Sequence, residues 1–325
     1  MELICPAGTP TAFRDAIAAG ADAVYCGFRN ETNARNFPGL NFSRQELAEA
    51  IVFARSKNVK TLVAINTFMH AGNEELWYRA VDDAVELGAA ALILADLGLL
   101  AYAAEKHPEQ RLHLSVQASA SNADTINFMV DTFGIKRAVL PRVLTIAEVA
   151  EITRKVRCET EVFVFGGLCV MAEGRCSLSS YATGKSPNMQ GVCSPASHVR
   201  YRREGGALVS ELGAFTINRF AEGESAGYPT LCKGRFQAGE QSGYIFEDPV
   251  SLDALVHLDA LEAAGVSALK IEGRQRGRAY IAEVVRTIQA TLGAKPEHRA
   301  GHIGSLSALS EGQRTTSGAY EKRWR

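Results

Sequence analysis

The chain has 325 residues, of which 46% are hydrophobic and 22% are charged, and its formal net charge is −1. This composition is typical of a globular protein with a large core and argues against the broad basic surface of a nucleic-acid binder. The first residues lack the basic and apolar segments of a secretory signal, and no run approaches 18 apolar residues. We therefore expect a cytoplasmic protein without a membrane span. Its seven cysteines are expected to be metal ligands or buried thiols rather than disulfides.

Short apolar runs rich in branched residues alternate with helical patterns along most of the chain. Eight runs are predicted to be strands: Leu3–Pro6, Ala23–Gly27, Thr61–Asn66, Ala91–Asp96, Leu112–Gln117, Ala138–Arg142, Glu161–Gly166 and Ala268–Glu272. Segments between them with helical periodicity include Pro10–Ala19, Arg44–Ser56, Glu74–Leu87 and Ala123–Phe133. Several of these helices are followed by a glycine, which is typical of a helix C-terminus.

Eight alternations of strand and helix indicate buried parallel strands covered by helices. Eight is the number of strands in a closed (β/α)8 TIM-like barrel, and an open doubly wound sheet is the alternative. The barrel is favoured because no GxGxxG loop follows the first strand. We predict a barrel over residues 1–293 and a polar C-terminal tail over residues 294–325, which is either disordered or packed as an arm. The aromatic residues Tyr320 and Trp324 lie near the end of this tail.

About 100 residues separate the seventh and eighth predicted strands, too many for a simple loop and helix. We predict an insertion over residues 168–250 at the carboxyl end of strand seven, where barrels carry their active sites. It contains four cysteines: Cys169, Cys176, Cys193 and Cys232. Their spacing matches neither zinc ribbons nor compact ferredoxin runs, and four thiolates suit zinc and iron–sulfur clusters equally well. The residues alone predict a metal site of either kind, with four free thiols as the alternative.

Polar side chains recur at the carboxyl ends of the predicted strands. We expect them to line a pocket at the top of the barrel: Asn66, Asp96, Gln117, Arg142, Glu272 and Arg274. Asp96 has an alternative role as the N-cap of the following helix. Arg142 and Arg274 are expected to bind a carboxylate, and Glu272 is expected to transfer protons.

Several motifs resemble those of the collagenase-like peptidase family, and the resemblance covers nearly the whole chain. They are Thr32-Asn-Ala-Arg with Gly39-Leu-Asn-Phe, Ile93-Leu-Ala-Asp-Leu, Ser115-Val-Gln-Ala-Ser, Phe165-Gly-Gly-Leu-Cys-Val-Met-Ala-Glu-Gly-Arg-Cys, Cys193-Ser-Pro-Ala, Gly227-Tyr-Pro-Thr-Leu-Cys-Lys-Gly-Arg and Lys270-Ile-Glu-Gly-Arg-Gln-Arg. Within the family the chain resembles bacterial members that act in ubiquinone biosynthesis, and its cysteine motif shows no departure from theirs.

The resemblance implies that the four cysteines of the insertion hold an oxygen-sensitive 4Fe-4S cluster. It also implies an oxygen-independent hydroxylase that acts on the aromatic ring of a polyprenylphenol-type ubiquinone precursor, with prephenate as the oxygen donor. The implied partners are UbiV, a sister protein that forms a heterodimer, and a lipid-binding accessory protein of the UbiT type.

Three alternatives stay open. Sister proteins of the family hydroxylate RNA bases, but we expect neither the basic surface nor the additional C-terminal module that this substrate favours. Peptidase activity follows from the family name, yet no Ser-His-Asp or Cys-His arrangement is visible. A structural four-cysteine zinc site would make the chain a non-enzymatic protein that binds a partner.

Overall fold

The computed structural model describes residues 1–302, 304–310 and 314–321. The strands are β1 Glu2–Pro6, β2 Ala23–Cys26, β3 Lys60–Ile65, β4 Ala91–Leu94, β5 Leu112–Leu114, β6 Arg137–Val139, β7 Glu159–Gly167, β8 Val199–Glu204, β9 Ala207–Leu212, β10 Phe215–Phe220, β11 Arg235–Ala238, β12 Gln241–Tyr244, β13 Ser251–Asp253, β14 Ala268–Ile271 and β15 Thr315–Thr316. The α-helices are α1 Pro10–Ala18, α2 Arg44–Ser56, α3 Glu75–Glu86, α4 Leu97–Lys106, α5 Ala123–Phe133, α6 Ile146–Lys155, α7 Leu178–Thr183, α8 Leu258–Ala263, α9 Arg278–Gly293 and α10 Pro296–Arg299.

Eight parallel strands close into a ring. Strands β1 to β7 pair in chain order, and β14 pairs with both β7 and β1. The predicted (β/α)8 barrel is therefore confirmed. All eight predicted strands are present, and each ends within three residues of the predicted position.

Five helices, α1, α2, α4, α5 and α6, begin at a residue whose side chain caps them. Ser43 and Glu46 form a capping box at the start of α2, and Thr145 and Glu148 form another at the start of α6. Each helix then buries one apolar stripe against the strands, as α3 does with Trp77 and the residues one turn further on. Local capping and period therefore both support the outer ring of helices.

The hydrophobic core has two layers. The outer layer lies between strands and helices and includes Phe13, Trp77 and Phe165. The inner layer fills the middle of the barrel with small and medium side chains: Ile4, Ala23, Tyr25, Leu62, Ala64, Ala91, Ile93 and Ala268. Towards the amino ends of the strands the interior is charged, because the carboxylate of Glu161 pairs with Lys270 at 2.5 Å and Arg137 at 3.3 Å. These ion pairs therefore fill the interior at that end of the barrel.

The segment between β7 and β14 lies over the carboxyl ends of the strands. It contains α7, a three-stranded antiparallel sheet of order β10-β9-β8, and the hairpin β11-β12. Two backbone hydrogen bonds join it to loops of the barrel: Asn36 N donates to the Gly191 carbonyl at 3.1 Å, and Phe68 N donates to the Asn188 carbonyl at 2.8 Å. The predicted insertion therefore covers the catalytic end of the barrel.

Strand β7 has neighbours of two kinds along its length. From Glu161 to Phe165 it pairs with β14, and from Phe165 to Gly167 it pairs antiparallel with β13. Strand β15 of the tail pairs with β13, and the Tyr320 hydroxyl donates to the Phe163 carbonyl at 2.6 Å. The described part of the tail thus packs on the barrel, whereas Trp324 lies outside the described residues.

Among the helices of the described residues, none is both long enough and apolar enough to cross a membrane.

Candidate functional site

A pocket opens at the top of the barrel, beneath the insertion. Five of the six predicted pocket residues line it: Asn66, Gln117, Arg142, Glu272 and Arg274. Its wall also includes polar residues that the sequence patterns did not single out, namely Tyr25, Arg35, Ser115, Glu173 and Lys270. The side chains of Ile93, Val139 and Phe163 give it an apolar surface. Such a mixture of apolar walls and few convergent charges is typical of a small-molecule site.

Asp96 does not line this pocket, which corrects the prediction for that residue. One carboxylate oxygen accepts a hydrogen bond from Leu99 N at 3.0 Å, so the side chain caps α4. The other oxygen accepts from Met69 N at 3.2 Å. Both oxygens are therefore used to hold backbone at the start of a helix and in a neighbouring loop.

Arg142 is bound to the protein itself, which alters its predicted role as a ligand clamp. Its Nε donates to Glu173 Oε1 at 2.6 Å, Nη1 donates to the Gly167 carbonyl, and the guanidinium lies 4.5 Å from the centre of the Phe163 ring. Burial alone would lower the pKa of Arg142, but the Glu173 carboxylate raises it above its usual value. Because Glu173 lies between Cys169 and Cys176, Arg142 fastens the cysteine loop to the barrel.

Arg274 is the pocket arginine without a carboxylate partner among the described residues. It is 5% exposed, its Nη1 donates to Asn33 Oδ1 at 3.1 Å, and its guanidinium lies 5.5 Å from the centre of the Tyr25 ring. Burial lowers the pKa of Arg274 to about 10, so the group is still charged at neutral pH. When a buried cation has no anion beside it, the cost of removing its charge from water is poorly compensated. This residue is therefore the best candidate for binding an anionic ligand.

Glu272 is held as an ionised carboxylate. Its Oε2 accepts from Gly167 N at 3.1 Å, and its Oε1 accepts from Arg35 Nε at 3.3 Å. Burial raises the pKa of Glu272, but Arg35 and Arg142 outweigh that effect and hold it below its usual value. At neutral pH the group is therefore a proton acceptor. The role of Glu272 in proton transfer stays a prediction. Its ionised state favours accepting a proton over donating one.

The two predicted amide residues have different surroundings. Asn66 is fully engaged, because its Nδ2 donates to Ser115 Oγ at 3.1 Å and its Oδ1 accepts from Ala34 N at 3.0 Å. It fixes the loop that carries Arg35. The Oε1 of Gln117, by contrast, is buried and has no partner in the described part of the chain.

The four cysteines of the insertion are free and partly buried. Burial raises the pKa of Cys193 to about 12, and the nearby thiols of Cys232, Cys169 and Cys176 contribute to the rise. The same two causes raise the pKa of Cys232 to about 11. The four sulfur atoms therefore lie within one another's electrostatic reach.

The four thiolates are soft donors, and this donor set suits either a zinc ion or an iron–sulfur cluster. In the described residues, no three His, Cys, Asp or Glu side chains are grouped as ligands of one metal ion. The donor chemistry therefore fits the implied 4Fe-4S cluster as well as zinc, and both stay predictions.

Comparison with known proteins decides the family. The chain matches Peptidase family U32 over residues 8–312. It belongs to that family. The predicted collagenase-like peptidase family is thereby confirmed.

The chain is similar to proteins named for RNA hydroxylation and to one named as a collagenase. The chain is 35% identical to tRNA hydroxylation protein P of Escherichia coli, over 95% of this chain and 70% of that protein. It is 30% identical to a 23S rRNA 5-hydroxycytidine synthase of the same organism, over 96% of this chain and 42% of that protein. It is 28% identical to a collagenase of Porphyromonas gingivalis, over 90% of this chain and 66% of that protein. The chain thus spans between two fifths and seven tenths of these relatives.

Proposed function

We propose that this chain is an oxygen-independent hydroxylase of the U32 family, in which a 4Fe-4S cluster lies above a carboxylate-binding pocket. The observation that carries the proposal is the link between Glu173 and Arg142, since it ties the cysteine loop directly to the pocket wall. Two relatives named for hydroxylation support the reaction type.

Cys169, Cys176, Cys193 and Cys232 would hold the cluster. When bound, such a cluster supplies one-electron redox chemistry at a potential that hydrogen bonds and burial adjust. The chain's own residues do the rest of the work. Arg274 binds a carboxylate of prephenate, the proposed oxygen donor, and the insertion excludes water from the pocket. A C–O bond of the donor breaks as the ring C–O bond forms, so the donor takes up the two electrons that the ring loses, and Glu272, kept ionised by Arg35, accepts the ring proton.

The proposed substrate is the aromatic ring of a polyprenylphenol-type ubiquinone precursor. The support comes from the motifs quoted above and from charge. Residues 168–250, which cover the pocket, contain eight Lys or Arg and eight Asp or Glu residues. Several of the exposed arginines are also paired, such as Arg202 with Glu211 and Arg219 with Glu204. A surface with balanced charges suits a neutral lipid ring better than a polyphosphate. In this proposal the chain is the UbiU-type subunit of a heterodimer with UbiV, assisted by a UbiT-type lipid-binding protein.

A base in RNA is the second candidate substrate. The names of the tRNA and rRNA relatives favour it, and on those names alone it is better supported than the quinone precursor. Identity of 35% leaves the substrate open between the two. The name of the collagenase relative suggests a peptidase, but the described pocket lining contains no cysteine or histidine. The Ser115 hydroxyl accepts hydrogen bonds from Asn66 Nδ2 and Gln117 N, and no base among the described residues is paired with it.

One anaerobic experiment tests the proposal and separates the substrates. The chain is purified without oxygen, its iron and sulfide are measured, and it is incubated with prephenate, a reductant and a UbiV-type partner. One reaction receives a polyprenylphenol and a second receives unmodified tRNA and rRNA. Mass spectrometry should find one added oxygen atom in the phenol. Oxygen added to RNA and not to the phenol would establish the second candidate, and one tightly bound zinc without iron would overturn the cluster.

A further inference from the structure

Two side-chain oxygen atoms in the pocket lack a hydrogen-bond partner in the described part of the chain. The Oε1 atom of Gln117 and the Oε2 atom of Glu173 are both buried, and neither accepts a hydrogen bond in the described part of the chain. Gln117 is 7% exposed and Glu173 is 4% exposed. An acceptor left in this state costs about 1–3 kcal/mol, so such atoms are rare unless a ligand or water serves them.

Close contacts hold the backbone of both residues in place. The other oxygen of Glu173 is held by Arg142, and the backbone carbonyl of Glu173 accepts from the Ser119 hydroxyl. The backbone of Gln117 is packed against Gly174, where an added Cβ would lie 1.9 Å from the Gln117 carbonyl oxygen. The cysteine loop and the residues after β5 thus place both residues in the wall of one pocket.

The two side chains together form a binding site for a hydroxyl group. A hydroxyl group needs one acceptor for its proton and one donor for its oxygen. Glu173 Oε2 supplies the acceptor. The Gln117 amide makes no hydrogen bond to a described residue, and a half-turn of the amide presents its NH2 group as the donor. Both residues line the same pocket as Arg274, which lacks an anion.

We propose that Gln117 and Glu173 recognise a hydroxyl group of a ligand whose carboxylate binds Arg274, so that the pocket selects hydroxy acids over acids of the same shape. This inference rests on the proposed function, in that it assigns the specificity of the same pocket. A ligand without the hydroxyl group leaves a buried carboxylate oxygen and an amide unpaired, and such sites reject deoxy analogues strongly.

Binding measurements on the full chain test this inference. The probes are 4-hydroxyphenylpyruvate and phenylpyruvate, which share a carboxylate and differ by one hydroxyl group. Isothermal titration under anaerobic conditions should show that the unmodified chain binds the hydroxylated probe at least tenfold more tightly, which corresponds to about 1.4 kcal/mol. In Gln117→Met, which keeps the volume and removes the amide, the ratio should fall to less than threefold. Gln241→Met, at an exposed amide in β12, should keep the full ratio.

The outcomes separate this inference from the proposed function. Equal binding of the two probes by the unmodified chain, or an unchanged ratio in Gln117→Met, would mean that water serves the two acceptors and would overturn the inference. Failure to bind either probe would overturn it as well. Because binding needs no turnover, an intact ratio in a chain that hydroxylates neither substrate would reject the proposed function and keep the hydroxyl site. Circular dichroism checks that Gln117→Met is folded, and Gln117→Asn provides a second variant with a shorter reach.

Discussion

The two pocket arginines have different surroundings, and this difference assigns their roles. Both are buried, but Arg142 is neutralised by Glu173 whereas Arg274 has no described carboxylate within ion-pair distance. Sequence patterns placed both at strand ends correctly, because the period of a strand and the end of an apolar run are local properties. They could not show the pairing, since Arg142 and Glu173 lie 31 residues apart and meet only after the insertion folds back. The same limit hid Arg35, which approaches Glu272 across 237 residues.

Replacing Arg274 should weaken binding of the acidic co-substrate without unfolding the chain. Arg274→Gln removes the unpaired cation and should cost about 1.5–3 kcal/mol, or roughly 10- to 150-fold in the dissociation constant for prephenate. Arg274→Lys should recover part of this loss. The control is Arg278→Gln, an exposed arginine on α9 that pairs with Asp15. Titration with prephenate measures all three, and unchanged affinity in Arg274→Gln would refute the assignment.

Replacing Arg142 should destabilise the protein, because it leaves the Glu173 carboxylate buried without its counter-ion. Arg142→Gln should cost about 3–5 kcal/mol in the free energy of unfolding, measured with urea under anaerobic conditions. The double variant Arg142→Gln with Glu173→Gln should lose less than the two single variants added together. Strictly additive losses would show that the two residues do not act as a pair.

The cysteine loop is fitted against the barrel as an element, and one glycine makes this fit possible. Gly174 has φ +86° and its Cα faces the Gln117 carbonyl, so an added Cβ would lie 1.9 Å from that oxygen. Gly184, at the end of α7, has φ +71° but has no atom near its Cβ position. Both glycines therefore adopt a left-handed backbone conformation, but only Gly174 has another atom close to the position of an added Cβ.

This contrast gives a prediction about the cluster. Gly174→Ala must push the loop between Cys169 and Cys176 off the barrel, so we expect less than half of the iron bound by the unmodified chain. Gly184→Ala should lose only about 1 kcal/mol of folding stability, because alanine disfavours the left-handed conformation. This variant should keep its iron. Iron per chain after anaerobic reconstitution is the readout. Equal iron in both variants would show that the contact with Gln117 does not position the loop.

At this scale the sequence predicted the barrel strands well and the insertion poorly. The strands were visible because buried parallel strands are continuous apolar runs between helices of period 3.6. The insertion has no such rhythm: every residue of β8 except Val199 is exposed, and in β9 and β10 three of the six residues are buried without regular alternation. The sequence predicted the position of the insertion and its four cysteines, but it did not predict the three-stranded sheet.

The molecule as a whole should lose stability in mild acid because of a buried histidine at the floor of the barrel. His113 Nε2 accepts from Arg111 Nε at 3.0 Å. Burial first, and then the positive charges of Arg137, Arg111, Lys270 and Lys60, hold the pKa of His113 well below its usual value. Below about pH 6.5, His113 therefore binds a proton in the unfolded chain and stays neutral in the folded chain. The stabilising contribution is complete above that pH and is lost as the pH falls.

The expected slope is about 1.4 kcal/mol per pH unit between pH 6.5 and pH 5. Urea unfolding at a series of pH values measures it. His113→Gln, which retains an acceptor for Arg111, should flatten the curve in this window, and His298→Gln, at an exposed position, should not. A curve of the same steepness in His113→Gln would mean that another group causes the loss.

Strand β7 pairs with β14 along its lower part and with β13 along its upper part. This change of partner separates closure of the barrel from access to its rim. Below Phe165 the ring of hydrogen bonds is complete, and this part keeps the fold closed. Above it, β7 pairs antiparallel with β13 instead of β14, and β13 in turn pairs with the short tail strand β15. The rim can therefore open locally, with amide exchange at Gly166, Gly167 and Leu252 faster than at Val162 and Leu269, while the ring below stays shut. Entry of a bulky substrate then requires no loss of global stability.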